Sequence, residues 1–106
     1  MSAPDPPEYY ISCGAADLAR IRGWNERAIA LGVQDEFQAA FNAMCRQLAT
    51  DPTRFGDPLF PYRYANLIMY HAMRRMLRVY YAVDEARRIV YIKRFHIVSG
   101  HPLAEG

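Results

Sequence analysis

The sequence predicts an α+β fold: an N-terminal strand, an antiparallel pair of helices, and a three-stranded antiparallel meander with the helices on one face of the sheet. Two observations support this prediction. Apolar residues recur at helical spacing in the first half of the chain, whereas the second half is rich in isoleucine, valine and tyrosine without that spacing. The length of 106 residues leaves room for one hydrophobic core, so a single domain is expected.

The N-terminal segment is the first element to place. Residues 1–8 are rich in proline and acidic side chains, and we expect them to form a flexible leader to a single domain over residues 9–106. A short strand is predicted from Glu8 to Cys13, because its two tyrosines and its isoleucine favour strands. Gly14 then ends this strand.

Two helices are predicted after the first strand. The first begins near Asp17 and ends before Gly32, since glycine enters the left-handed conformation that closes a helix without steric cost. The second begins near Asp35, a favourable N-terminal cap, and ends at Asp51–Pro52. The short link between them makes an antiparallel hairpin. Each helix has an apolar stripe, formed by Leu18, Ile21, Ala28 and Leu31 on the first and by Phe37, Ala40, Phe41, Met44 and Leu48 on the second.

A segment rich in proline and glycine separates the helices from the meander. The chain from Asp51 to about Asn66 is predicted to be a loop for that reason. The predicted strands are Leu67–Ala72, Met76–Val83 and Ile89–Val98, with turns at Arg74–Arg75 and Asp84–Arg88. Packing both helical stripes on one face of the sheet leaves the opposite face partly open, where a small domain can hold a site.

Charge and composition narrow the possible functions. The net charge of +2 divides into −3 up to Pro61 and +5 from Tyr62 onwards. Clustered arginine and lysine attract phosphates, so the basic half indicates a polyanionic partner. No apolar run is long enough to cross a bilayer, and the N-terminus lacks the pattern of a signal peptide. We therefore expect a cytoplasmic protein with no membrane partner.

The two cysteines, Cys13 and Cys45, lack the spacing of a metal site and are predicted to be small buried residues. No other group of histidine, cysteine or acidic residues has metal-ligand spacing. No metal and no other cofactor is expected.

The basic half contains a more specific pattern. Leu77–Glu85 reads LRVYYAVDE, and after a turn the next strand begins with Arg88–Ile92, which reads RIVYI. Together with Asp51–Pro52 and the order of elements, this pattern resembles the RelE/ParE superfamily of toxins over about Tyr9 to His96. The resemblance implies a toxin of a type II toxin–antitoxin system, held inactive by a cognate antitoxin protein.

The resemblance leaves the target open. RelE-like members are endoribonucleases that cut mRNA on the ribosome and inhibit translation without a metal, whereas ParE-like members inhibit DNA gyrase and cut no RNA. The basic half and its histidines favour the endoribonuclease. The RNase members end this strand with a basic residue and carry a tyrosine or histidine a few residues later. In this chain no arginine follows His96 and no tyrosine closes the chain, which favours the gyrase inhibitor. A third possibility is a protein–protein module that has kept the fold and lost toxicity.

Candidate site residues follow from the resemblance and from strand alternation. Arg78 matches the arginine that holds phosphate in the RNases. Alternation places Arg78 and Tyr80 on the open face, and it places Leu77, Val79, Tyr81 and Val83 on the core face. His71 stands where RelE-like RNases tend to carry a lysine, and it is a candidate proton carrier because a histidine pKa of about 6.5 suits that role.

The last strand supplies the remaining candidates. Alternation groups Arg94 with His96 on one face and Tyr91, Lys93 and Phe95 on the other, without showing which face is open. The resemblance implies a catalytic role for His96, a phosphate-stabilising role for Arg94, and a second proton carrier in His101. The candidate catalytic residues are thus Arg78, His96, Arg94, His71 and His101, and the candidate RNA-binding residues are Arg74, Arg75, Lys93 and Tyr80.

Overall fold

The computed structural model describes residues 8–104, with the backbone alone for residues 60–64. Its elements are β1 (Tyr10–Ser12), α1 (Ala15–Leu31), α2 (Gln34–Thr50), α3 (Pro52–Phe55), β2 (Asp57–Tyr64), β3 (Leu67–Arg74), β4 (Leu77–Asp84), β5 (Ile89–Ile97) and a 3₁₀ helix (Pro102–Ala104). The predicted leader lies outside the described residues apart from Glu8, and it stays a prediction.

The strands form one five-stranded sheet in the order β1-β5-β4-β3-β2. β1 pairs with β5 in parallel, and every other neighbouring pair is antiparallel. The helix pair packs on one face of this sheet, where its buried residues form a single core cluster with those of β3, β4 and β5. The predicted α+β fold, with helices on one face, is therefore confirmed.

The segment from Asp51 to Asn66, predicted as a loop, contains α3 and the edge strand β2 instead. That prediction is wrong, and the meander has four strands rather than three. An edge strand tolerates Pro58 because one of its sides makes no ladder hydrogen bonds, so the missing N–H need not break the pairing. The pairing of β2 with β3 does shift its register between Pro58 and Arg63.

The turn before β4 also differs from the prediction by one residue. Arg74 is the last residue of β3, and the turn consists of Arg75 and Met76. Arg75 has a positive φ of 53°, which is the conformation that a tight turn needs. Met76 is buried, so the turn itself contributes to the core.

The helix pair follows the predicted pattern more closely on α2 than on α1. Gly32 has a φ of 75° and closes α1 in the left-handed conformation, as predicted. The predicted stripe of α2 is buried apart from the half-buried Phe41. On α1, however, Leu18 and Leu31 are nearly half exposed, because this helix contacts the core along the line through Trp24 and Ala28. The stripe predicted for α1 is wrong at those two leucines.

The face of the sheet that meets the helices is the one that alternation predicts. Leu77, Val79, Tyr81 and Val83 are all buried in the core cluster. The Tyr81 hydroxyl donates a 2.6 Å hydrogen bond to the carbonyl of Pro52, and burial raises the pKa of this tyrosine. Cys13 and Cys45 are free and half-buried rather than fully buried, and burial raises the pKa of Cys45 to about 11.

A β-bulge in β5 changes which residues face the helices. Tyr80 pairs with Arg94, but the next residue, Tyr81, pairs with Ile92, so Lys93 is the extra residue of the bulge. Phe95 therefore faces the core, whereas Tyr91 lies opposite Ala82 on the other face. Simple alternation, which grouped Tyr91 and Lys93 with Phe95, is wrong for this strand.

Candidate functional site

Cross-strand pairing assembles a cluster on the face of the sheet opposite the helices. Arg78, the second residue of β4, pairs with His96 on β5 and with Met73 on β3. In the next row on the same face, Tyr80 pairs with Arg94 and with His71. Five of the nine candidate residues are thereby brought side by side, and the open face of β5 is the one that carries Arg94 and His96.

One end of this cluster forms an open groove of about 490 Å³. The groove is lined by Met73, Arg75, Arg78, Tyr80, His96, Ile97, Val98 and Ser99. We call it the Arg78 groove. Its charged lining side chains are arginines, apart from the titratable His96, so the groove attracts anions.

Arg78 is held in the groove without the hydrogen bonds that its guanidinium normally makes. Its Nε is buried and has no hydrogen-bond partner among the described residues. Its Nη2 lies 3.9 Å from the sulfur of Met73, which is only a weak acceptor. A buried donor without a partner costs free energy, and an anion bound in the groove would remove that cost.

His96 is tuned by burial and by its cationic neighbours. Burial lowers the pKa of His96 below its ordinary value of 6.5, and the charges of Arg20, Arg94 and Arg78 lower it further, while Asp17 acts in the opposite direction. The imidazole is therefore mostly neutral at pH 7, which is the form that accepts a proton.

Replacing Arg94 by glutamine is expected to raise the pKa of His96, because one of the cations that disfavour the imidazolium is removed. An NMR titration of the imidazole measures the midpoint directly. The wild-type midpoint should lie below 6.5, and Arg46→Gln, an exposed change on α2, should leave it in place. A wild-type midpoint at or above 6.5 contradicts this account of the site.

Tyr80 separates the two histidines of the cluster. Its ring stacks on His71, with the centroids 5.7 Å apart, and meets the ring of His96 edge-on at 5.6 Å. His71 therefore contacts Tyr80 but is not placed beside His96. Tyr80 presents a stacked aromatic ring next to the arginine groove, which is the kind of surface on which an unpaired base stacks.

The remaining candidates lie at different distances from the groove. Arg75 lines it, and Arg94 is exposed in the neighbouring row. Lys93 is exposed at the bulge. Arg74 pairs with Leu77, so its side chain lies on the helix side of the sheet and not on the face that carries the Arg78 groove.

His101 is not brought into the groove. Its Nδ1 accepts a 3.1 Å hydrogen bond from the backbone N–H of Leu103, which fixes the ring at the start of the 3₁₀ helix. That helix is held against α1, where Arg27 Nε donates to the carbonyl of Pro102 at 3.2 Å. His101, which was predicted to be a second proton carrier, thus makes a structural contact with the 3₁₀ helix instead.

Two groups from α1 that the sequence did not single out complete the site. Asp17 accepts a 3.3 Å hydrogen bond from the backbone N–H of Phe95, and among the charged groups Arg20 lowers the pKa of His96 most. No local signal in the sequence links Asp17 on the helix to Phe95 on the strand, 78 residues later. In the sequence, Asp17 and Arg20 show only a spacing of three residues, which places them on the same turn of a helix.

Residues 8–104 contain no group of three or more histidine, cysteine or acidic side chains arranged to hold a metal ion. Within the same range, no helix is long and apolar enough to cross a membrane.

The protein is an α+β domain with a mixed sheet, a helix pair on one face and an arginine-lined groove on the other. The chain is similar in structure to a chain of the toxin–antitoxin complex RelBE2 from Mycobacterium tuberculosis, with a TM-score of 0.57 and 21% sequence identity. The similarity covers 90% of this chain and 97% of the other. It confirms the RelE-like fold predicted from the sequence. No protein-family model matches the chain, and no curated protein matches it.

Proposed function

We propose that this protein is the toxin of a type II toxin–antitoxin system and that it inhibits translation by cutting mRNA on the ribosome. The observation that carries the proposal is the pairing of Arg78 with His96 across β4 and β5. This pairing places a guanidinium, whose Nε has no partner among the described residues, beside a histidine whose pKa is lowered and which is therefore mostly neutral at pH 7. The two groups supply the two functions that metal-independent RNA cleavage needs, which are charge stabilisation and proton transfer.

In the proposed reaction, neutral His96 takes the proton of the ribose 2′-hydroxyl. The 2′-oxygen then attacks the adjacent phosphorus, and the bond from phosphorus to the 5′-oxygen of the next nucleotide breaks. Arg78 and Arg94 stabilise the negative charge that develops on the phosphate oxygens. Because the groove is open to solvent, a water molecule protonates the leaving 5′-oxygen, and the imidazolium of His96 returns its proton to the resulting hydroxide. The products are a 2′,3′-cyclic phosphate and a 5′-hydroxyl end.

The other members of the cluster are proposed to bind the substrate rather than to react with it. Tyr80 stacks on a base next to the cleaved bond, and His71 supports the tyrosine ring from β3. Arg75 and Lys93 contact the RNA backbone on either side. Because Arg74 and His101 lie away from the groove, we assign them no part in the reaction.

The proposed partners follow from the same surface. The ribosome presents the mRNA, so the protein acts in the cytoplasm, and a cognate antitoxin controls it. The structurally similar chain comes from a toxin–antitoxin complex. An antitoxin that covers the Arg78 groove would block phosphate binding, and we expect this face to be its contact surface.

Inhibition of DNA gyrase is the second candidate. It is favoured by apolar side chains left exposed on α1, since Leu18 and Ile29 are each about half exposed on a helix that packs its other side on the core. Exposed apolar groups on a folded domain are a usual feature of protein contact surfaces. This reading needs no reaction in the Arg78 groove.

Two assays run in parallel separate the candidates. The purified chain is added to a translation extract that contains ribosomes, and to a gyrase supercoiling reaction. The proposal expects mRNA cleavage that disappears when the ribosomes are removed, together with normal supercoiling. Intact mRNA with inhibited supercoiling would favour the gyrase inhibitor, and no effect in either assay would favour a non-toxic protein–protein module.

A further inference from the structure

The start of α1 lies against the free edge of β5. β1 pairs with β5 only as far as Ser12 and Tyr91, so the backbone of β5 beyond that point has no strand neighbour on this side among residues 8–104. Asp17, in the first turn of α1, fills part of the gap by accepting the 3.3 Å hydrogen bond from the N–H of Phe95. Phe95 directly precedes His96. The first turn of the helix is thereby held beside the candidate catalytic histidine.

Arg20 follows Asp17 by almost one helical turn, on the side of α1 that this contact turns toward β5. Its guanidinium carbon lies 5.1 Å from the centre of the Trp24 ring. Trp24 in turn packs against the core, so the indole is a fixed support. A guanidinium stacked on an aromatic face keeps the N–H groups of its edge available for an acceptor.

The guanidinium of Arg20 donates no hydrogen bond to the protein within the described part of the chain. Its charge nevertheless lowers the pKa of His96. Among the charged groups that act on His96 from α1, β4 and β5, which are Asp17, Arg20, Arg78 and Arg94, Arg20 has the largest influence. Asp17, almost one turn earlier on the same helix, accepts the hydrogen bond from the N–H of Phe95, so this part of α1 lies beside the strand residue that precedes His96.

We propose that Arg20 adds an arginine beside the Arg78 groove, at the α1 side of β5, and that it holds the RNA phosphate next to the cleaved one. The inference rests on the proposed RNase function and adds a residue from outside the sheet to it. Arg78, Arg94 and Arg20 then approach His96 from three different elements. An extended RNA backbone has one phosphate per nucleotide, so a row of arginines of this kind fixes the position of the bond that faces His96.

Arg20 acts as a positioning residue in this arrangement, because it orients the RNA and keeps His96 neutral without taking part in bond breaking. A test of the inference must therefore read out binding and the state of the histidine as well as cleavage. Arg22 offers a matched control. It lies two residues further along the same helix, is exposed, and lines the groove between α1 and α2 instead.

The experiment measures the affinity of a short 2′-O-methyl RNA, which cannot be cleaved, by fluorescence anisotropy at several salt concentrations. Arg20→Gln is expected to weaken binding about tenfold at low salt, since a hydrogen bond to a charged group is lost. It should also reduce the slope of log affinity against log salt by about 0.7, which corresponds to one phosphate contact on a single strand. Arg22→Gln should change neither quantity to this extent.

The second readout is the NMR titration of His96 in the free protein. Arg20→Gln should raise the midpoint, whereas Arg20→Lys, which keeps the charge, should retain most of the wild-type value. If Arg20→Gln matches Arg22→Gln in the salt slope and in the His96 midpoint, the inference is overturned. The same holds if the wild-type protein fails to bind the RNA.

The experiments distinguish a failure of this inference from a failure of the proposed function. If the wild type cuts mRNA and Arg78→Ala does not, but Arg20→Gln behaves like its control, only the role of Arg20 is lost. If the wild type binds the RNA through Arg20 but leaves mRNA intact on ribosomes, the RNase proposal fails while the binding role of Arg20 stands.

Discussion

Arg78→Ala is expected to lower the rate of mRNA cleavage by about 100- to 1000-fold, the usual effect of removing one preorganised donor from the charge that develops in a transition state. Arg78 is the central residue of the groove and pairs directly with His96. The Nε of its guanidinium is buried, which restricts the side chain before any RNA arrives, and it makes no hydrogen bond within the described chain. The measurement is the rate of cleavage of a reporter mRNA in a ribosome-containing extract.

The same substitution separates function from stability. Alanine removes a buried nitrogen that lacks a partner, so the free energy of unfolding should not fall by more than the loss of side-chain packing. Arg78→Lys should restore only part of the rate, because an ammonium lacks the planar set of donors that a phosphate accepts. Arg46→Ala, on the exposed side of α2, serves as the control for a lost positive charge. Full activity in Arg78→Ala would contradict the assignment.

Gly56→Ala is expected to destabilise the fold by about 1–3 kcal/mol, through overpacking at a buried turn. A β-carbon at this position would collide with the hydroxyl of Tyr81 and would lie 2.8 Å from the backbone oxygen of His71. The oxygen belongs to β3 and cannot move without disturbing its pairing with β2. The Tyr81 hydroxyl is itself fixed by its hydrogen bond to Pro52. Chemical denaturation with circular dichroism measures the change.

Gly23→Ala is the matched control for that prediction. Gly23 lies inside α1, and an added β-carbon would meet no atom within 4 Å. Alanine favours the helix over glycine by about 0.5–1 kcal/mol, so this variant should be more stable than the wild type. If Gly56→Ala were as stable as Gly23→Ala, the close contact of Gly56 with His71 of β3 and Tyr81 of β4 would be refuted.

Local patterns in the sequence predicted the parts of the fold that depend on local chemistry. The alternation of β4 assigned Leu77 and Val79 to the core and Arg78 to the open face, because a regular strand has a period of two. Gly32 was predicted to close α1 because its conformation is a property of one residue. Arg78 and His96 were singled out by the resemblance to the RelE/ParE superfamily, and alternation added only the open-face position of Arg78.

The errors have a different origin. Proline and glycine in the segment after α2 suggested a loop, but the missing N–H of Pro58 is tolerated on the edge strand β2, and only the sheet order shows that β2 is at the edge. The bulge at Lys93 turns Tyr91 to the open face of the sheet. Alternation could not predict this change, because a single inserted residue leaves no mark in the composition of a strand. Arg20 was missed because its role depends on the packing of α1 beside β5.

The most direct test of the central claim is to map the ends of a reporter mRNA after incubation with the wild-type protein and with His96→Ala in a ribosome-containing extract. The account predicts breaks at defined codons that carry a 2′,3′-cyclic phosphate and a 5′-hydroxyl, and it predicts that the breaks are lost or strongly reduced in the variant. It also predicts that the wild-type rate falls only when the pH drops below 6.5, where His96 becomes protonated. Intact mRNA and continuing translation with the wild-type protein, or equal cleavage by the variant, would contradict it.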